Sequence, residues 1–146
     1  MNSAGRPGKP GPLCVGLLWH SVNSDNLGVT ALTVSNIAIV DSVAKDMGCE
    51  VRFIVLGWRD PGMPQIERPN LSVFPMVGKT IVQPGGLHAK VRECDLVLDI
   101  SGGDSFADIY GSKRFMFNVL SKLVVMAAGK PLLLSPQTIG PYQRLW

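Results

Sequence analysis

The sequence predicts an α/β domain with a Rossmann-like parallel sheet of about five strands flanked by helices. Three observations carry this prediction. Short apolar runs recur along the chain, and runs of this length are typical of strands buried on both faces. Longer segments with apolar residues at every third or fourth position alternate with these runs and indicate helices. Polar segments that contain glycine follow several of the runs, as expected where a strand ends beside a ligand site.

The apolar runs predict strands at residues 13–19, 51–56, 71–77, 96–100 and 132–135. Pro75 lies within the third run, and a proline restricts a strand to the edge of a sheet because it cannot donate a backbone hydrogen bond. Helical segments separate the runs, so we expect right-handed crossovers and parallel strands.

Two long helices are predicted, at residues 27–47 and 112–128, with a shorter one at 87–93. Gly48 and Gly129 are expected to end the long helices, and Ser112 is expected to cap the second. The spacing also predicts which side of each helix is buried. The expected apolar face of the first is Leu32, Ser35 or Asn36, Ile39, Val43 and Met47, and that of the second is Phe115, Val119, Leu123 and Met126, joined by Met116, Leu120 and Ala127.

The composition is that of a globular protein, with 46% hydrophobic and 17% charged residues in 146 positions, enough for one domain. The net charge is +3, and no basic run is interleaved with aromatic residues, so we expect no nucleic-acid partner. Residues 1–12 are rich in glycine and proline without hydrophobic periodicity. We expect them to form a disordered tail before a domain at residues 13–146.

The compartment follows from what the sequence lacks. Residues 1–12 have no apolar core of a signal peptide, and the apolar runs are shorter than the roughly 20 residues of a membrane span. Cys14 and Cys94 lie in or beside apolar runs and Cys49 forms no CxxC spacing, which favours free thiols over a metal or redox site. We expect a cytoplasmic protein with no membrane span.

Three polar loops, at residues 20–28, 101–111 and 136–142, follow the first, fourth and fifth predicted strands. They leave the same edge of a parallel sheet and can meet in one crevice, where glycines and helix N-termini suit an anion. Ordinary turns and caps use the same residue types, and the two interpretations are evenly balanced. The candidate binding residues are Asn23, Asn26, Gly28, Ser101, Gly102, Gly103, Asp104, Ser105, Gln137 and Gly140.

Two residues are candidates for acid–base chemistry. His20 lies at the end of the first strand, although a structural histidine is at least as well supported, and Asp104 lies in the glycine loop. Asp99 is expected within the fourth strand, where it would brace the loops. The sequence has no GxGxxG after the first strand, no Walker motif and no metal-ligand spacing, so we expect no cofactor and no metal ion.

Three blocks of the sequence resemble the polysaccharide pyruvyl transferase family. The first is Asn-Ser-Asp-Asn-Leu-Gly-Val-Thr-Ala-Leu at 23–32, and the second is Leu-Val-Leu-Asp-Ile-Ser-Gly-Gly-Asp-Ser-Phe-Ala-Asp at 96–108. The third is Gly-Lys-Pro-Leu-Leu-Leu-Ser-Pro-Gln-Thr-Ile-Gly-Pro at 129–141. The blocks occur in the family's order. The first block departs from the family's pattern at Val29, where an acidic residue is usual.

The resemblance implies transfer of pyruvate from phosphoenolpyruvate to a sugar of a cell-surface or exported polysaccharide, as a ketal. The acceptor would be a glycan or a lipid-linked sugar. Family members resemble two-domain GT-B glycosyltransferases, and this chain matches the N-terminal half. We therefore expect a fragment or a truncated gene product that is inactive alone and whose uncovered sheet face favours self-association.

Two other functions fit the same pattern. One is a glycosyltransferase half-domain that binds a nucleotide sugar. The other is a non-catalytic α/β binding module. Phosphoenolpyruvate would perturb the loops of a pyruvyl transferase, and a nucleoside diphosphate would perturb those of a glycosyltransferase. Neither ligand would perturb the loops of a non-catalytic binding module.

Overall fold

A computed structural model describes residues 11–58, 60–103, 105–140 and 142. In this part of the chain the strands are β1 (Leu13–Leu18), β2 (Val51–Trp58), β3 (Leu71–Met76), β4 (Leu96–Asp99), β5 (Ser105–Phe106), β6 (Leu132–Leu134) and β7 (Thr138–Ile139). The helices are α1 (Leu27–Asp46), α2 (Leu87–Glu93) and α3 (Ser112–Ala127), and a 3₁₀ turn covers Gly78–Ile81.

Five of the described strands form one parallel sheet in the order β3-β2-β1-β4-β6. The predicted α/β, Rossmann-like fold is confirmed. β3 lies at one edge of this sheet, as Pro75 predicts, and Pro75 is paired with Gly57 of β2. The short strands β5 and β7, which the sequence did not predict, form a separate parallel pair.

The sheet is covered on two faces. On one face, Cys14, Ile54, Leu56 and Val97 pack against α2, α3 and the 3₁₀ turn, represented by Val91, Val125 and Ile81. On the other, Val15, Leu17, Phe53, Val55 and Leu98 pack with Ile37 and Val40 of α1. This alternation explains why the runs of β1, β2 and β4 are continuously apolar, because both faces of these strands are buried.

The predicted buried faces of the long helices were wrong at most positions, although Asn36 is buried and Leu120 packs against the core. In α1 the buried residues are Val29, Thr33, Asn36, Ile37 and Ala44, whereas Ile39, Val43 and Met47 are exposed. In α3 the buried residues are Asn118, Ser121, Lys122 and Val125, whereas Met116, Leu123 and Met126 are exposed. The buried side chains of Thr33, Asn36, Ser121 and Lys122 form hydrogen bonds, so a pattern based on hydrophobicity alone did not identify them.

The helix ends were predicted more closely than the faces. Gly48 and Gly129 follow α1 and α3 with φ of 64° and 68°, the left-handed conformation that ends a helix. Ser112 is the first residue of α3 and does not cap it, because the N-cap residue is Gly111, without a side-chain hydrogen bond. Asn26 caps α1.

Two surface features bear on the expected partners. Leu133 and Leu134 of the edge strand β6 are half exposed, at 49% and 50%, while self-association through this face stays a prediction. Among the described residues, α1 is one helix whose length and apolar composition would suffice to cross a membrane. A core helix of a soluble protein passes the same test, and one side of α1 packs on the sheet.

Candidate ligand-binding site

The three polar loops lie side by side where β1, β4 and β6 end. Ile100 N–H donates to the carbonyl of Leu18 at 3.3 Å, which joins the second loop to the first strand. Ser135, directly after β6, donates its N–H to the carbonyl of Asp99 in β4 at 2.9 Å, so the second and third loops leave neighbouring strand ends. The crevice that the sequence predicts at one sheet edge therefore corresponds to adjacent loops in the structure.

A buried ion pair supports the glycine-containing loop at residues 101–111. Asp99 is fully buried, and its carboxylate lies 2.9 Å from the Lys122 ammonium of α3. The same carboxylate accepts hydrogen bonds from Ser101 N–H at 3.0 Å and Ser101 Oγ at 3.2 Å. Lys122 also donates to Ser101 Oγ and lies 4.5 Å from the centre of the Phe106 ring. Asp99 thus braces the loop, as the sequence suggested.

The Asp99 carboxylate favours the charged form of Lys122, whereas burial disfavours that form. Burial lowers the pKa of Lys122, and the neighbouring Asp99 carboxylate opposes that shift. Nearby, Trp19 Nε1 donates to Ser121 Oγ at 2.8 Å, so α3 is tied to the ends of β1 and β4 through consecutive residues. Trp19 and Ser101 both have positive φ, of 61° and 50°, immediately after or near the ends of those strands.

His20 is enclosed rather than presented to solvent. It is 1% exposed, and its Nδ1 lies 3.1 Å from the carbonyl of Leu18, which can only accept a hydrogen bond. Nδ1 therefore carries the proton and Nε2 accepts from Asn36 Nδ2 at 3.0 Å. Asn36 Oδ1 in turn accepts from Ser135 Oγ at 3.2 Å. This hydrogen-bonded chain joins the first loop, α1 and the third loop.

The environment of His20 favours the neutral ring. Burial lowers the pKa of His20 to about 4, against the opposing effects of the Leu18 carbonyl and the Asp99 carboxylate. With both nitrogens bonded, the described contacts give His20 a structural role. Its use as a catalytic acid or base stays a prediction.

The asparagines of the first loop bond mainly within the protein. Asn26 Oδ1 accepts from the N–H groups of Gly28 at 2.9 Å and Val29 at 3.4 Å, so it caps α1. Asn23 Nδ2 donates to the carbonyl of Asp60 at 2.6 Å, which anchors the segment after β2. Ser21 Oγ donates to the Asp60 carboxylate. The loop is therefore ordered by its own side chains before any ligand arrives.

Gly103 is needed for a close approach between the glycine loop and α1. Its φ is 79°, and a Cβ at this position would lie 2.5 Å from Val29 Cγ2. Gly102, with φ of 80°, would place a Cβ 2.9 Å from a terminal nitrogen of Arg114. The glycine pair thus serves packing as well as ligand access.

Replacing Gly103 with alanine is expected to destabilise the fold by about 3 kcal/mol, because a left-handed backbone and an overlap with Val29 are both imposed. Gly129→Ala is the matched control: its φ is 68°, and nothing lies within 4 Å of its added Cβ. The control should lose only about 1 kcal/mol, the conformational part. Urea unfolding of both variants measures the difference, and equal losses would contradict close packing at Gly103.

The third loop runs alongside the second. Gln137 Nε2 donates to the carbonyl of Asp99 at 3.3 Å, while its Oε1 is buried and accepts no hydrogen bond among the described residues. An unmet buried acceptor at a strand end is a place where a ligand or water can donate. Gly140 N–H donates to the carbonyl of Phe106 at 3.0 Å, next to the β5–β7 pair that contains the Ser105 backbone. Asp104 lies outside the described residues.

Two adjoining cavities open at this sheet edge, and together they are called the strand-end cleft. The first cavity, of about 150 Å³, lies against the N-terminus of α1 and is lined by residues including Ser21, Asn26, Asp60, Gly102 and Arg114. The second cavity, of about 520 Å³, is lined by Trp58, Val77, Gly78, Tyr110, Lys113, Arg114 and Phe117. Trp58 and Arg114 line both.

Sequence reasoning found the loops of this cleft but missed most of its walls. Trp58, Asp60, Lys113 and Arg114 come from the end of β2, the following loop and the first turn of α3. The position of Trp58 in the sequence could have identified it. Trp58 ends a strand that is parallel to β1, so it lies at the same edge of the sheet as the end of β1. Of the candidates, Asn26, Gly102 and His20 line the first cavity. Asn23, Gln137 and Gly140 are not among its lining residues and hydrogen-bond instead to the backbone of Asp60, Asp99 and Phe106.

Searches against protein-family models, curated proteins and solved structures found no match to this chain. Within the described residues, no group of three or more histidine, cysteine, aspartate or glutamate side chains is arranged to hold a metal ion. Cys14 and Cys94 are buried free thiols, and Cys49 is exposed. The cleft therefore offers hydrogen-bonding groups, aromatic rings, the cationic side chains of Lys113 and Arg114, and the Asp60 carboxylate, which accepts a hydrogen bond from Ser21.

Proposed function

We propose that this chain is a polysaccharide pyruvyl transferase-like domain, one half of a GT-B-like architecture. It would take part in transferring pyruvate from phosphoenolpyruvate to a sugar as a ketal. One observation supports the proposal: the three blocks that resemble the family lie together at one sheet edge. Asp99 of the second block is hydrogen-bonded to Ser135 of the third, and Gly103 of the second packs closely against Val29 of the first. The same edge holds the strand-end cleft.

Phosphoenolpyruvate carries a phosphate and a carboxylate, and the first cavity has features that favour such an anion. The N-terminus of α1 contributes a partial positive charge, and the first turn of that helix holds no acidic residue. Arg114 adds a full positive charge at the cavity wall. A volume of about 150 Å³ suits a ligand of this size better than a drug-sized molecule.

The reaction forms two bonds from the enol carbon that bears the phosphate to sugar hydroxyl oxygens and releases inorganic phosphate. It requires an acid that protonates the methylene carbon and a base that accepts the hydroxyl protons, one of which leaves with the phosphate. His20 and Asp104 remain the candidates within this chain, and by resemblance a second domain would supply further groups. We expect the chain alone to bind phosphoenolpyruvate without forming a ketal.

Titration of the ¹⁵N-labelled protein with phosphoenolpyruvate should shift the amide resonances of Gly28, Val29 and Gly102. Arg114→Gln should weaken binding about tenfold, because a charge-assisted hydrogen bond is lost. Arg92→Gln is the control: Arg92 lines a separate cavity with His88 and Lys130, so affinity should be unchanged. Equal effects of the two substitutions would mean that only net charge attracts the anion.

A nucleotide-sugar glycosyltransferase half-domain is the second candidate. The aromatic side chains Trp58, Tyr110 and Phe117 favour it, because a nucleobase stacks on such rings. A uridine diphosphate titration run beside the first separates the two functions. Shifts with the diphosphate alone would support the glycosyltransferase, and shifts with neither ligand would support a non-catalytic binding module.

A further inference from the structure

The second cavity of the strand-end cleft has walls of two kinds. The ring of Trp58 packs at 4.9 Å against Trp19 and at 5.9 Å, edge to face, against Phe117. These contacts fix its orientation, yet Trp58 is 40% exposed. Tyr110 and Val77 are 47% and 43% exposed at the same cavity. A rigid, half-exposed aromatic surface of this kind suits the flat apolar face of a ring-shaped ligand.

Cationic groups flank these rings. Lys113 Nζ lies 5.9 Å from the centre of the Phe117 ring, and the Arg114 guanidinium lies 5.1 Å from that of Tyr110. Among the described residues that line the cavity, none is acidic. A ligand held here would therefore combine an apolar ring face with negative charge.

The positive charges of Lys113 and Arg114 lie where they destabilise helix α3. Lys113 and Arg114 are in the first turn of α3, which contains no acidic residue. Positive charge near a helix N-terminus is unfavourable, because the unpaired N–H groups there are already positive. Side chains that break a local rule in this way are expected at functional sites. An anion bound beside Lys113 would offset the repulsion at that residue.

We infer that the second cavity binds a phosphorylated sugar, with the sugar ring on Trp58 and the phosphate beside Lys113 and Arg114. A volume of about 520 Å³ accommodates such a ligand. The adjoining first cavity shares Trp58 and Arg114, so two ligands would lie next to each other. The role of this sugar as the pyruvate acceptor rests on the proposed function, whereas its binding rests on the cavity.

Binding is tested by titrating the protein with glucose, galactose and mannose 1-phosphates while the indole N–H resonance of Trp58 is followed. At least one should shift that resonance, and the matching free sugar and inorganic phosphate should each bind at least tenfold more weakly. Lys113→Gln should weaken the sugar phosphate about tenfold. Trp58→Phe should weaken it through lost ring area while leaving inorganic phosphate binding unchanged.

Lys130→Gln is the matched control, because Lys130 lines a different cavity, and it should leave affinity unchanged. Absence of any shift with all three sugar phosphates would overturn the inference, as would equal affinity for the free sugars. Phosphoenolpyruvate, added to a second sample, reports separately on Gly102. If phosphoenolpyruvate binds and no sugar phosphate does, only the second site is refuted. If a sugar phosphate binds and phosphoenolpyruvate does not, only the proposed donor is refuted.

Discussion

Asp99→Asn should lower the free energy of unfolding by about 3–5 kcal/mol, because it leaves the buried Lys122 ammonium without its charged partner. Urea unfolding at neutral pH measures the loss. The surface pair Arg68–Asp41, at 2.7 Å and with each side chain about one-third exposed, supplies the control. Asp41→Asn should cost at most about 1 kcal/mol, since solvent screens that pair.

The free energy of unfolding of the Asp99→Asn variant should depend on pH through Lys122. Burial already lowers the pKa of Lys122, and removal of the carboxylate lowers it further. The unfolded chain then binds a proton more tightly than the folded one, so stability rises with pH up to the ordinary lysine pKa. Lys122→Met added to Asp99→Asn should recover much of the loss. A double variant no more stable than the single one would contradict a charge-based origin.

His20 should make the fold sensitive to acid. Its pKa is lowered from 6.5 to about 4, so the unfolded state takes up the proton first as the pH falls. Stability contributed by neutral His20 is present above pH 6.5 and is lost progressively towards pH 4. The pKa difference corresponds to about 3 kcal/mol. Unfolding free energies measured between pH 7.5 and pH 4 should show this loss in addition to that from carboxylates.

His20→Gln is the test of that assignment. Glutamine retains an acceptor for Asn36 but does not titrate, so the variant should be less stable at pH 7.5 and less sensitive to acid. His88→Gln is the control, because His88 is exposed and lies outside the His20 network. A wild-type pH profile retained by His20→Gln would show that another group carries the acid sensitivity.

Strands β1, β2 and β4 were predictable because both of their faces are buried, which produces an uninterrupted apolar run in the sequence. The helix faces were not predictable. Apolar residues surround α1, and the side that packs is selected by Thr33 and Asn36, whose hydrogen-bond partners Ser21, His20 and Ser135 lie elsewhere in the chain. Long-range polar contacts of this kind leave no periodic signal.

The location of the candidate site was predictable from the sequence, but the roles of its residues were not. Parallel topology brings the ends of β1, β4 and β6 together, so convergence of the three loops followed from strand order alone. The roles within the loops did not follow. Asn26 resembles a ligand residue in sequence but caps α1, and Gly103 accommodates Val29. Lys113 and Trp58 reach the cleft from elements without any motif.

The central position of β1 has a consequence for how the protein is made. β1 lies between β2 and β4, and its end is tied to α3 by the Trp19–Ser121 hydrogen bond across 102 positions. Asn36 likewise accepts a hydrogen bond from Ser135, which lies 99 positions further along the chain. During synthesis from the N-terminus, β1 and α1 emerge long before these partners. The nascent chain therefore displays an unpaired central strand and an apolar helix, the kind of segment that chaperones bind, and closure of such distant contacts makes folding slow.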